Sequence, residues 1–85
     1  MAEQLIGHVT HWYGRAMVAG IHMDRGELHA GDVLHILGHT SDVEQRVGSM
    51  EVEHHNVDEA RPGEDIGVKM SEQVREHDLV YRVLH

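Results

Sequence analysis

Histidines and carboxylates are the side chains best equipped for chemistry in this sequence. Ten histidines stand among fifteen aspartates and glutamates. Histidine titrates near neutral pH, and its neutral ring ligates metal ions. Residues that are three apart or adjacent on a regular strand point to opposite faces. We therefore expect that His8 cannot chelate a metal together with His11, nor His54 together with His55.

The remaining histidine pairs depend on how the strands align. His35 and His39 share a parity, but Gly38 interrupts the strand between them. Cross-strand pairs, such as His22 with His29 or with His35, remain open. The chain has no cysteine and no H-E-x-x-H spacing of the kind that holds zinc. We expect exposed histidines and no metal or cofactor site; a specific metal site and adventitious cation binding remain the alternatives.

Seryl nucleophiles are the other candidates for chemistry, and their surroundings argue against catalysis. Ser41, Ser49 and Ser71 lie in polar or bend-like stretches, and none lies in a G-x-S-x-G elbow. The sequence also lacks a G-x-x-x-x-G-K-[ST] phosphate-binding loop, and its only lysine, Lys69, falls within a predicted strand. We therefore predict that the chain is not an enzyme and does not bind GTP.

Aromatic and cationic side chains provide the candidate contact site. Aromatic rings beside a cation stack on nucleic-acid bases or anchor protein contacts. The candidate residues for a partner or RNA contact are Trp12, Tyr13, Arg15, Arg46, His54 and His55. One alternative is that either Trp12 or Tyr13 belongs to the core while the other aromatic ring shields an end of the barrel. Another alternative concerns the predicted strand 43–57, which carries Arg46, His54 and His55. There Glu44, Glu51 and Glu53 alternate with these residues and would make the strand solvated and charge-paired.

The net charge limits the kind of partner. Fifteen acids face seven bases, which gives −8 with the histidines neutral. Nucleic-acid affinity depends largely on lysine and arginine neutralising phosphates, so this acidic chain is a poor generic phosphate binder. Protonation of several histidines near pH 6 would bring the net charge towards zero.

Short strands must position these side chains. Apolar residues alternate with polar ones at period two, and glycines interrupt the pattern. The pattern predicts no helix, and strands over 5–13, 15–23, 33–37, 43–57, 66–70 and 79–84. We expect one domain over residues 1–85, all-β, folded as a small closed or nearly closed antiparallel β-barrel of about six or seven strands. A sandwich is the alternative.

Glycine marks the predicted turns between these strands. Gly26 and Gly31 are each placed where a positive φ would close a tight turn. The segment Arg61-Pro62-Gly63 reads as a type II turn, with proline first and glycine second. Within 43–57 the apolar parity changes at Gly48-Ser49, which predicts a β-bulge or a sharp bend there.

The ordered set of turns resembles the second domain of elongation factor Tu and its relatives, over almost the whole chain. The matching stretches are residues 14–16, 24–28, 31–34, 47–51, 60–68 and 74–80. His77 stands where that family usually has glycine, and Ile21 stands where its second strand often has one. The resemblance implies the translation-factor β-barrel without its GTPase domain, and carries over the fold but no contact residues.

Two functions follow from this resemblance. The first is a non-catalytic binding module that contacts RNA, the ribosome or a translation protein. Similar barrels are also appended to larger enzymes, including relatives of collagenase-like peptidases. The alternative is therefore a protein-interaction accessory subunit of such an enzyme, without nucleic-acid binding. The N-terminal residues show neither a basic leader nor a long apolar stretch, so we expect a cytoplasmic protein, monomeric or weakly oligomeric, with no membrane partner.

Overall fold

The computed structural model describes residues 2–84, which form ten strands and no helix. The strands are β1 (Ala2–Tyr13), β2 (Val18–Met23), β3 (Leu28–His29), β4 (Val33–Leu37), β5 (Asp42–Arg46), β6 (Met50–Val52), β7 (His55–Asn56), β8 (Glu59–Ala60), β9 (Asp65–Lys69) and β10 (Leu79–Leu84). The predicted all-β class is confirmed. No helix within residues 2–84 is long and apolar enough to cross a membrane.

Eight strands form one antiparallel sheet in the order β5-β4-β10-β1-β2-β9-β6-β7, and β3 pairs with β8 as a separate ribbon. The predicted closed or nearly closed barrel of six or seven strands is wrong, because the edge strands β5 and β7 do not pair. Instead, the Gln45 side chain at the β5 edge donates to Lys69 O at 2.7 Å and accepts from Ser71 N at 2.8 Å. A side chain thus links edge strand β5 to the end of β9.

The long strand β1 joins the two halves of the large sheet. It pairs with β10 through its first half and with β2 through its second half. The register shifts between Leu5 and Gly7 and again between Val9 and His11, so the strand carries two irregularities. Bulges of this kind bend a strand and increase its twist. The bends let one strand serve both halves of a strongly curved sheet.

The core is built from the inward residues of almost every strand. Alternation is strict along β2 and β9, where buried residues lie between partly exposed ones. The largest fully buried side chains are Ile6, Val9, Ile21, Met23, Leu28, Leu34, Ile36, Val47, Met50, Val68, Val74 and Val80. Burial of a Val, Leu, Ile or Met side chain stabilises the fold by about 1.5–3 kcal/mol. Such a set is what an 85-residue chain needs to hold a single core.

The predicted glycine turns are confirmed. Gly26 and Gly31 have φ values of 68° and 94°. Gly63 has φ 91°, and the Glu64 N–H donates to Arg61 O at 3.2 Å, which closes the type II turn around Pro62. Side chains other than glycine are strained in this region of φ, which explains why glycine stands there.

The segment 43–57 differs from its prediction as one long bent strand. The predicted break at Gly48-Ser49 is confirmed, since β5 ends at Arg46 and β6 begins at Met50. A second reversal follows at Glu53 and His54, whose φ values are 49° and 66°. Two successive positive φ values are typical of the two-residue hairpin turn that joins right-twisted strands. This turn creates the β6–β7 hairpin, which a pattern without glycine or asparagine did not indicate.

Candidate functional site

A groove of about 520 Å³ opens where β1, β2, β9 and β6 lie side by side. Its floor contains Gly20 and Gly67, which face each other across the β2–β9 pair. A Cβ atom on Gly20 would come within 3.4 Å of the Tyr13 ring, and one on Gly67 within 3.2 Å of Val18. The floor is therefore bare backbone, and a side chain at either glycine would crowd the walls.

The two walls differ in chemistry. Thr10 and Tyr13 lie on the β1 side of the groove, and Tyr13 is 52% exposed. On the opposite side the β6–β7 hairpin contributes Glu51, Glu53 and His54, all of them exposed. The groove is thus lined by a tyrosine on one side and by two glutamates and a histidine on the other, with glycines between them.

Carboxylates are the main charged side chains that line the groove. Within residues 2–84, neither Glu51 nor Glu53 takes part in an ion pair. Asp65 also lines the groove, and its Oδ1 atom lies 2.8 Å from His22 Nδ1. A cation stands near the Ala16 end of the groove, where Lys69 Nζ donates to the Ala16 carbonyl at 2.6 Å. The carboxylates of the hairpin are therefore available to a ligand.

Strained backbone surrounds the groove. The four non-glycine residues with positive φ in residues 2–84 are Met17, Glu53, His54 and His77. Glu53 and His54 line the groove, and Met17 separates Ala16 from Val18, which also line it. Such conformations cost about 1–3 kcal/mol each and cluster at functional sites in proteins. Three of the four lie in or beside this one groove.

The structure brings together two of the six sequence-predicted contact residues. Tyr13 and His54 line the same groove from opposite walls. Trp12 is half-buried and packs against the core. This agrees with the alternative in which one aromatic residue of the pair Trp12 and Tyr13 belongs to the core. Arg15 is exposed in the turn between β1 and β2.

The other two predicted contact residues lie away from the groove floor. Arg46 is exposed at the end of β5 and donates from Nη1 to Gly31 O at 2.7 Å. His55 is exposed on the edge strand β7. Sequence reasoning missed the two floor glycines, although glycine is disfavoured within strands, and its presence in two of them was the signal available.

The histidines are arranged differently from the prediction. The register shift near Thr10 places His8 opposite His22 and His11 opposite Gly20. His8 and His11 therefore share the outer face, and the prediction that they point to opposite faces is wrong. The His22 ring lies beside the His8 ring, with centroids 5.7 Å apart and a tilt of 49° between the ring planes, and His22 does not pair with His29 or His35.

His35 is held between two carboxylates. Its Nε2 atom lies 2.6 Å from Asp42 Oδ1, and its Nδ1 atom lies 2.7 Å from Glu3 Oε2. The hydrogen bond to Asp42 raises the pKa of His35 above its ordinary value of 6.5; partial burial lowers it and the Glu3 carboxylate raises it further. A carboxylate at each of its two ring nitrogens thus stabilises the protonated form of His35.

His29 lies beside another group of carboxylates. Its Nε2 atom is 3.1 Å from Glu59 Oε1 and 3.8 Å from Glu27 Oε1, and these three side chains could hold a cation. Hydrogen bonds from His29 and then Arg61 lower the pKa of Glu59. Existing donors therefore already compensate the Glu59 carboxylate, and the expectation of no metal stays a prediction.

None of the three serines considered as nucleophiles lines the groove. Ser41 is buried in the loop after β4, and its carbonyl accepts from the Gly38 N–H at 2.8 Å. The Ser71 hydroxyl donates to Gln45 Oε1 at 2.9 Å. Ser49 is exposed in the bend before β6, where its carbonyl accepts from Lys69 N at 3.3 Å.

Comparison with known proteins relates the chain to peptidases. It is 42% identical to an uncharacterized protease of Methanocaldococcus jannaschii over 77 residues, which are 89% of this chain and 19% of that protein. It is 35% identical to a collagenase of Porphyromonas gingivalis over 78 residues, which are 91% of this chain and 22% of that protein. The chain spans about a fifth of the length of these curated relatives. No protein-family model matches it.

Solved structures share the fold. Two crystal structures of the C-terminal domain of a Geobacillus thermoleovorans protein, described as a U32 peptidase, superpose with TM-scores of 0.84 and 0.86. They cover 91% and 95% of this chain, and the chain covers 96% and 93% of theirs, at 18% and 17% identity.

These findings overturn the identification with the second domain of elongation factor Tu. The similar sequences lie in proteins named as a protease and a collagenase, and the matching structures are of a peptidase C-terminal domain. The predicted translation-factor module is therefore wrong, and the protein or RNA partner of the chain stays a prediction. The alternative, an accessory part of a collagenase-like enzyme, agrees better with what the chain resembles.

Proposed function

We propose that this chain is a non-catalytic accessory domain that serves a larger peptidase related to the U32 and collagenase-type proteins. The observation that carries the proposal is the extent of the sequence similarity. About nine tenths of the chain aligns, at 35–42% identity, with only about a fifth of each relative. The similarity thus covers one whole folded unit and leaves most of each relative outside it.

The interior of the domain supports a non-catalytic role. Apolar side chains fill its core, and the groove on its surface has a glycine floor. Catalysis by nucleophilic attack needs a nucleophile within hydrogen-bond reach of a base. Ser71 is instead bonded to Gln45, and Ser41 is buried. A surface groove without such a pair is suited to holding a polypeptide near a catalytic centre that lies elsewhere.

The experiment uses the Porphyromonas gingivalis collagenase as host. The segment that aligns with this chain is deleted, or replaced by this chain, and cleavage of gelatin is compared with cleavage of a short soluble peptide. We expect deletion to raise KM for gelatin while leaving kcat on the short peptide, and replacement to restore KM. The chain by itself should hydrolyse neither substrate.

Two results would contradict the proposal. One is hydrolysis by the isolated chain at a rate proportional to its concentration. The other is a deletion variant that is folded, by circular dichroism, and cleaves gelatin with an unchanged KM. The intact host supplies the reference values, and a replacement by an unrelated small β-domain is the matched control for linker and size effects.

A further inference from the structure

We propose that the groove between Tyr13 and the β6–β7 hairpin binds an extended polypeptide segment through an arginine or lysine side chain. This inference rests on the proposed function, and it names the chemistry that the accessory domain recognises. The charge of the walls, the shape of the floor and the conformation of the surrounding backbone support it.

Charge identifies the ligand as a cation. The carboxylates of Glu51 and Glu53 project from one wall with no ion-pair partner in residues 2–84, and Asp65 adds a third at the groove. Tyr13 stands on the facing wall, and the face of an aromatic ring attracts a guanidinium or ammonium group. With a net charge of −8, the whole chain also attracts a basic segment over long range.

The ligand's cation is directed to the hairpin side of the groove. Lys69, whose Nζ atom is bonded to the Ala16 carbonyl, repels a second cation from that end. Asp65 is already hydrogen-bonded to His22, so its charge is partly compensated. Glu51 and Glu53 are therefore the residues on which a bound arginine or lysine side chain depends.

Shape favours a polypeptide backbone on the floor. Gly20 and Gly67 face each other on adjacent strands, and glycine within a strand often marks a close approach by a ligand or another backbone. The volume of about 520 Å³ lies in the range of sites that hold a few side chains. An extended segment can lie over the two glycines while its charged side chain reaches the hairpin.

Strain in the surrounding backbone indicates that the walls are held in position. The left-handed residues Glu53 and His54 form the hairpin tip, and Met17 leads into the opposite end of the groove. Strained conformations persist where the rest of the structure over-determines them. The wall that carries the carboxylates is thus preformed, which reduces the entropy lost on binding.

A backbone-amide NMR titration of this chain tests the inference. The probe is the capped peptide GRGRGRG, and the matched control peptide is GEGEGEG. We expect the basic peptide to shift the amides of Gly20, Gly67 and Glu53 in a saturable manner, and the acidic peptide to shift none of them. Shifts confined to another surface, equal shifts with both peptides, or no shifts at all would overturn the inference.

Charge variants separate the groove from overall charge. Loss of one carboxylate from an exposed ion pair weakens that interaction roughly two- to fivefold. We therefore expect the double variant Glu51→Gln with Glu53→Gln to bind the basic peptide about tenfold more weakly. Glu44→Gln with Glu72→Gln makes the same change in net charge at exposed positions outside the groove. That control should keep the affinity within about twofold. Equal weakening by both pairs would refute recognition in the groove.

The outcomes distinguish this inference from the proposed function. If the chain restores gelatin cleavage in the host collagenase but does not bind the basic peptide, the accessory role stands and the groove assignment fails. If the peptide binds the groove but the host is unaffected by deletion, the groove assignment stands and the accessory role fails. The NMR spectra of the variants also report directly whether each one is folded.

Discussion

Replacement of His77 by glycine should stabilise this domain. His77 precedes β10 and has φ 74°, a left-handed conformation that favours glycine. Its backbone N–H donates to Val9 O at 2.8 Å, a bond that glycine would keep. The imidazole is exposed, so little packing is lost on its removal. The substitution therefore changes mainly the backbone energy at one position.

The expected magnitude is a difference between two terms. A side chain in the left-handed region costs about 1–2 kcal/mol, and glycine removes that cost. Glycine also gives the unfolded chain more freedom, which lowers stability by about 0.4–1 kcal/mol. The net gain in the free energy of unfolding is about 0.5–1 kcal/mol. For a domain of this size, Tm should rise by about 2–8 °C.

The assay is reversible urea and thermal unfolding, with His39→Gly as the matched control. His39 is exposed in the loop after β4 and is not among the residues with positive φ. Glycine there brings only the unfolded-state cost, so this control should lose about 0.4–1 kcal/mol. If His77→Gly destabilises the domain as much as His39→Gly does, the reasoning from backbone strain is refuted.

Two other substitutions test the packing and the ionisation of the fold. Gly38→Ala should cost about 1–3 kcal/mol in urea unfolding, because its Cβ would overlap the carboxylate of buried Asp78, which is held by the Arg75 N–H. Gly48→Ala, with nothing within 4 Å of its Cβ, should change the stability by no more than about 0.5 kcal/mol. A small effect at the first position would contradict the contact. His35→Gln should cost about 1 kcal/mol near pH 5.5 and clearly less near pH 8.5, because the raised pKa of His35 gives stability that is complete below 6.5 and is lost as pH rises through the folded-state value. Equal losses of stability at pH 5.5 and pH 8.5 would contradict stabilisation by protonated His35 beside Asp42.

The sequence predicted those features of the fold that depend on local backbone geometry. Gly26, Gly31 and Gly63 stand where the turns need a positive φ, and each was identifiable from its neighbours. The bend at Gly48-Ser49 could be read from the change of apolar parity. In each case the residue type or the local apolar pattern indicates the backbone conformation, so the prediction needs no knowledge of distant contacts.

Other features depend on interactions that the local pattern does not contain. The register shift near Thr10, which moves His11 to the same face as His8, has no glycine or proline to mark it. The hairpin turn at Glu53 and His54 uses side chains that are unusual there. Whether β5 meets β7 is decided by curvature summed over eight strands. The groove was missed for the same reason, because four strands build it.

The turn pattern also explains the incorrect identification. Glycine–aspartate turns specify how strands reverse, and the resemblance to the second domain of elongation factor Tu was built on such turns. The groove proposed here as a contact surface is lined by other residues, among them Tyr13, Glu51 and Glu53. A shared order of turns therefore predicted an all-β domain correctly and the family of the chain incorrectly.

The pairing of β1 with β10 has a mechanical consequence. Ala2 lies opposite Leu84, so the first and last described residues leave the sheet at the same end of one antiparallel ladder. A force that pulls these two ends apart acts across the ladder and opens its hydrogen bonds one pair at a time, beginning at Ala2 and Leu84. Tension applied along the strands would instead load many bonds together. A domain held at both ends would therefore yield readily under tension, while one held at a single end would carry no load through its core.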